Sequence, residues 1–109
     1  MRRIYYTGGQ VLTGDRTCKA LLRYARALAE AGTSDVVTIP VLSEGGSKGS
    51  AHFLIGPASE IFSVPVLEGP EEPFDQAAIN RLEDQTRRLQ PTRPEWPDEM
   101  TDIGDLDYT

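Results

Sequence analysis

One cysteine, one histidine and one tryptophan are all that the 109 residues hold of those types. A lone Cys18 excludes an intramolecular disulfide and suits a reducing compartment, so the expected setting is the cytoplasm. With His52 as its only companion it cannot supply the usual zinc ligand set, and no cofactor or metal is expected. Long apolar runs are lacking too. Nothing approaches the roughly 20 residues that cross a bilayer, and MRRIYYTGG has a positive start without the apolar stretch of a signal peptide. No membrane partner is expected.

Excess positive charge is also missing. The net charge is −6, and its placement is uneven. Residues 1–93 carry eleven acidic and eleven basic side chains, whereas 94–109 carry Glu95, Asp98, Glu99, Asp102, Asp105 and Asp107 with no Lys or Arg. A neutral body with an acidic tail does not reward contact with phosphates, so nucleic acid ranks last among partners.

The clearest element is Asp15–Gly32, DRTCKALLRYARALAEAG. Cys18, Leu21, Leu22, Ala25, Leu28 and Ala29 recur at three and four residues, the apolar face of an α-helix. Asp15 is the expected N-cap and Gly32 the expected left-handed terminator. The opposite face aligns Arg16, Lys19, Arg23 and Arg26, with Glu30 in the last turn, so its charges run against the helix dipole. This stripe is either a solvated face or the landing site of an anionic partner.

Around that helix the chain reads as strands. RIYYTGGQVLT forms two strands turning at Gly8-Gly9, with one bent strand as the alternative. DVVTIPVL (Asp35–Leu42) is a third, whose Pro40 points to an edge or a bulge. SEGGSKGS is a polar loop before AHFLI, and EIFSVPV (Glu60–Val66) follows with Phe62, Val64 and Val66 on one face and with Pro65 pointing to another edge or a strand end. Short connections favour an antiparallel meander of these three. A second helix is expected over Phe74–Gln90, with an apolar stripe of Phe74, Ala78, Ile79, Leu82 and Leu89. Its charges follow the dipole, and Glu83–Arg87 are placed to pair.

From Pro91 the composition changes. PTRPEWP should be extended and polyproline-like. Beyond it, Trp96, Met100, Ile103 and Leu106 recur among acids, the pattern of a solubilising tail or of a peptide that becomes helical in a groove. The expected architecture is α+β: residues 1–90 form a mostly antiparallel sheet of four or five strands with two helices on one face. Residues 91–109 form a Pro-rich acidic tail, disordered or docked as a peptide.

Chemical motifs do not survive inspection. Gly9–Gly14 has P-loop spacing, but the phosphate-binding lysine is Asp15 and the intervening residues read as strand. SEGGSKGS is followed by a strand where an anion site would need a helix start. Cys18 on an apolar face is a small buried thiol, and a nucleophilic pairing with His52 would require the two to meet.

The segments IYYTGG, LTGDRT, DVVTIPVL, LIGPASEIFSVPV and RLEDQTRRLQP, covering about residues 3–91, resemble short uncharacterised proteins of high-GC actinobacteria. A related small group carrying the label ATP-dependent DNA ligase is similar as well, although no KxDG-like lysine motif is present. The resemblance implies a source group and an intracellular setting without an activity.

The leading expectation is a non-catalytic protein-interaction module. Its acidic peptide would dock on the Arg16/Lys19/Arg23/Arg26 stripe of its own or another copy, or on a separate protein. A small-molecule or enzymatic domain, with a pocket between Gly8-Gly9, the first helix and SEGGSKGS, is the alternative. A nucleic-acid binder restrained by its acidic tail comes third.

Overall fold

β-Branched residues on alternate positions build one wall of the core. Val37, Ile39 and Val41 all point inward from β3 (Asp35–Leu42), opposite Phe53 and Ile55 from β4 (Lys48–Ile55). The computed structural model describes residues 1–43, 45–67 and 72–90. Among them lie β1 (Arg2–Tyr6), β2 (Gly9–Thr13), α1 (Asp15–Ala31), β3, β4, β5 (Ile61–Pro65) and α2 (Gln76–Leu89). The five strands form one antiparallel sheet in the order β4-β3-β2-β1-β5, and two helices complete the expected α+β fold. No helix among the described residues is long and apolar enough to cross a membrane.

The first hairpin forms, but it turns one residue earlier than expected. Tyr6 pairs with Gly9, which leaves Thr7 and Gly8 as the loop, at φ 53° and 78°. Two positive φ values match the twist of a tight hairpin, and Gly8 adopts one without penalty. Thr7 does not: a β-branched residue there is an outlier.

Helix α1 starts after Gly14, an N-cap with no side-chain bond, so Asp15 is the first helical residue and not the cap. Its carboxylate instead lies 3.1 Å from the Met1 amine, which Glu72 also approaches at 3.0 Å. At the other end Gly32 takes the left-handed conformation. Its N–H donates to Ala29, and that of Thr33 donates to Leu28, closing the helix as expected.

The buried side of α1 is rotated from the apolar stripe read in sequence. Thr17, Cys18, Ala20, Leu21, Tyr24, Ala27 and Leu28 are buried; Leu22 and Ala25 are half-buried, and Ala29 is exposed. The cause is a second neighbour. The helix rests on the sheet and is also flanked by α2, so small and polar residues on that flank are covered. Arg16 reaches Phe74, before the start of α2, and Glu30 accepts from Gln90, just past its end, so the two helices run parallel.

Helix α2 begins later than its apolar pattern suggests. Asp75 caps it by accepting from the Ala77 N–H at 3.0 Å, and Phe74 stands outside, 54% exposed. Ala78, Ile79, Leu82 and Thr86 are its buried residues, and the Thr86 hydroxyl is satisfied by the Leu82 carbonyl. Arg87 pairs with Asp84 in place of Glu83.

The meander does not form. β3 and β4 make a hairpin through a loop ending earlier than expected, because β4 already starts at Lys48. β5 then leaves β4 and pairs along the whole of β1, from Arg2↔Pro65 to Tyr6↔Ile61. Without it β1 would be an open edge of unpaired backbone groups. Pro65 ends an edge strand, as expected. Pro40 lies in an interior strand, yet β2 and β3 touch in register only at Leu12↔Leu42. The Pro40 carbonyl accepts from the Thr13 hydroxyl at 2.7 Å, so its backbone faces β2 across a ladder that is otherwise open there. A missing N–H is harmless in that position.

Candidate binding cleft

A gap opens between the β1–β2 hairpin and the far end of β4. The tip of the β1–β2 hairpin and the start of β5 form one bank of the gap. The end of β4 and the loop after it, Gly56–Glu60, form the other. Between them lies a cleft of about 830 Å³. That volume falls in the range of sites that hold a small ligand or a few residues of peptide.

Aromatic rings dominate one bank. Tyr5 and Phe62 are register partners on β1 and β5, and their rings stack with centroids 4.6 Å apart and planes at 12°. Phe62 is nevertheless 59% exposed. Its neighbour Val64 is also on the outer face, so the shared side of Phe62 and Val64 is the solvent-facing one. Ile61 and Ser63 are the half-buried residues of this strand.

Tyr6 fastens the two banks together. Its ring packs against Phe53 at 5.4 Å, and its hydroxyl donates to the Leu54 carbonyl of β4. Ser59 fixes the loop by accepting from the Gly56 N–H at 3.0 Å, and its own N–H donates to the Gly56 carbonyl. Leu54, 61% exposed, also lines the cleft, and its register partner Val36, 59% exposed, carries the apolar outer surface beyond it. Glu60 is the one charged residue in the lining, and no Lys or Arg lines the cleft among the described residues.

The expected site residues lie elsewhere. Arg16 is exposed, with its guanidinium 5.5 Å from the centre of the Phe74 ring, a cation–π contact. Arg26 pairs with Glu30 at 3.2 Å along the helix, and Lys19 and Arg23 are half-buried. The described residues end at Gln90, where the domain boundary is expected, so Trp96, Met100, Ile103 and Leu106 and the whole tail fall outside them.

Cys18 is fully buried against the inner side of the sheet, and burial pushes its thiol up. His52 sits on the outer side of β4 between the inward Ala51 and Phe53, with its Nδ1 2.9 Å from the Thr38 hydroxyl. The sheet separates them, so they form no catalytic pair. No group of three metal-ligating side chains occurs among the described residues. Gly9–Thr13 is strand β2 and cradles nothing.

Of the pocket expected between Gly8-Gly9, the first helix and SEGGSKGS, only Gly8 and Gly9 line the cleft among the described residues; the rest of the lining comes from four separate strands and the loops beside them, which local sequence does not bring together. One signal was available: apolar residues on both faces of β4, Phe53 inward and Leu54 outward, exceed what a half-solvated sheet requires.

No family model matches the chain, and no curated protein or solved structure matches it. What the fold and cleft define is a class: a small antiparallel α+β domain with an aromatic cleft between its first hairpin and the β4–β5 loop.

Proposed function

We propose that the protein is a non-catalytic interaction module that holds an extended, proline-rich peptide in this cleft. The observation that carries the proposal is the stacked Tyr5–Phe62 pair, open to solvent beside Leu54 and Pro57. Polyproline segments are stiff before they bind and dock on aromatic grooves of this kind at low entropic cost. The lining argues against nucleic acid, whose phosphates would meet Glu60 and no cation. Two of the helix cations, Arg16 and Arg26, are engaged within the fold, which favours the cleft over the basic stripe as the docking surface. The single cysteine and the likeness to short actinobacterial proteins support a cytoplasmic setting.

Covering an aromatic side chain is worth ~1.5–3 kcal/mol, and 1.4 kcal/mol is tenfold in affinity. A dye-labelled peptide of repeated Pro-x-x-Pro, titrated into the full chain and followed by anisotropy, should therefore bind about tenfold more weakly to Phe62→Ser. Arg16→Ala should bind it like the parent. No binding by the parent, or equal binding by Phe62→Ser, refutes the proposal.

The cleft volume favours a second reading, a small-molecule site. A thermal-shift screen over nucleotides and metabolites separates the two: stabilisation by a metabolite, abolished in Phe62→Ser, would select it.

A further inference from the structure

We infer that the occupant of the cleft is the chain's own segment Pro91–Pro97, bound in cis, so that the module is self-inhibited. This rests on the peptide reading above and adds the identity of the ligand. The chemistry of the two partners matches residue by residue. The segment PTRPEWP brings three prolines and Trp96, the one tryptophan of the chain, to a surface of Tyr5, Phe62, Leu54 and Pro57. It also brings Arg93, the only Lys or Arg after residue 90, to a cleft whose one charge is Glu60.

Connectivity points the same way. The Gln90 side chain donates to Glu30 in the last turn of α1, so the segment leaves the fold beside that helix end. Ser34, on the rim of the cleft, is four residues beyond Glu30, no more than about 14 Å along the chain. Ser34 also lies against the far bank: a Cβ placed on Gly56 would come within 2.9 Å of the Ser34 Cβ. Seven residues of polyproline span about 22 Å, enough to pass Ser34 and enter the cleft.

Trp96 is its own reporter. In the full chain, acrylamide should quench its fluorescence several-fold less than that of the free heptapeptide PTRPEWP, independently of protein concentration. Phe62→Ser should remove the protection. Glu60→Lys should weaken it, and the pair Glu60→Lys with Arg93→Glu should restore it. If the segment fills the cleft nine-tenths of the time, Trp96→Ala should raise the apparent affinity for the labelled Pro-x-x-Pro probe about tenfold.

A Trp96 as accessible as in the free peptide overturns the inference, and so does protection that disappears on dilution, which would assign the segment to a neighbouring copy. If Trp96 is accessible while the probe still binds in a Phe62-dependent way, self-inhibition fails and the peptide module stands. If neither occurs, both fail.

Discussion

Replacing Tyr24 with Phe tests the tie between the central helix and the strand that leads into the cleft. Tyr24 is 4% exposed, and its hydroxyl donates to Asp35 Oδ2 at 2.6 Å. The other carboxylate oxygen accepts from the Val36 N–H at 2.8 Å, which holds the start of β3. A hydrogen bond to a charged group is worth ~1.5–3 kcal/mol. Asp35 is half-buried, so water recovers part of the loss, and the expected cost of Tyr24→Phe at neutral pH is about 1–2 kcal/mol. Burial, with Asp35 adding to it, pushes the Tyr24 phenol well above its ordinary range. The sign follows from that direction. The folded state prefers the neutral phenol, so this contribution is complete below the unfolded pKa of ~10 and is lost as pH rises above it, at about 1.4 kcal/mol per pH unit. Near pH ~11 the parent should have lost about as much as the bond supplied. Cys18 titrates upward in both proteins and cancels from the difference. Urea unfolding at neutral and alkaline pH measures it. Midpoints that coincide at neutral pH, or a gap that stays constant into alkali, would refute the reasoning.

Thr7→Asn should stabilise the fold. The left-handed backbone costs most residues roughly 1–2 kcal/mol and Asn less, so a gain of about 1 kcal/mol and a melting point ~4–8 °C higher are expected; an unchanged or lower melting point would show that Thr7 is not strained. Leu21→Ala, at a side chain with no exposure, should cost ~2–5 kcal/mol in urea unfolding, and a loss under 1 kcal/mol would contradict its place in the core. Cys18 should resist thiol reagents in the native protein and react at the rate of unfolding, and prompt labelling of the folded chain would speak against its burial.

Local chemistry made much of the fold legible. Gly32 announced the end of α1, β-branched alternation gave the exact span of β3, and Pro65 marked an edge. What stayed hidden depended on a second partner. The Thr17, Ala20, Tyr24 and Ala27 flank of α1 is buried only because α2 lies beside it, and those residue types carry little apolar signal of their own. β5 was assigned to β4 because the loop between them is short. The open edge of β1, which takes it instead, has no mark in local sequence. The cleft was least visible, since Tyr5, Leu54 and Phe62 are separated by as many as 57 residues and become a surface only once β1 and β5 pair.

Two surfaces are candidates for holding the tail, and salt would treat them differently. The four cations of α1 were legible as a stripe, and six acids in residues 94–109 made it an obvious destination. Attraction of that kind acts between charges near water, and its range shrinks from ~10 Å at 0.1 M ionic strength to ~3 Å at 1 M. The proposed docking of Pro91–Pro97 in the cleft would draw instead on apolar and aromatic burial, which salt does not screen, and a Glu60–Arg93 pair there would add little. Part of the stripe is spent locally as well, on Phe74 and Glu30. On the proposed docking, the acids beyond Pro97 would need no cationic surface. Shielding of Trp96 that persists near 1 M salt belongs to the cleft, and shielding released by salt belongs to the helix.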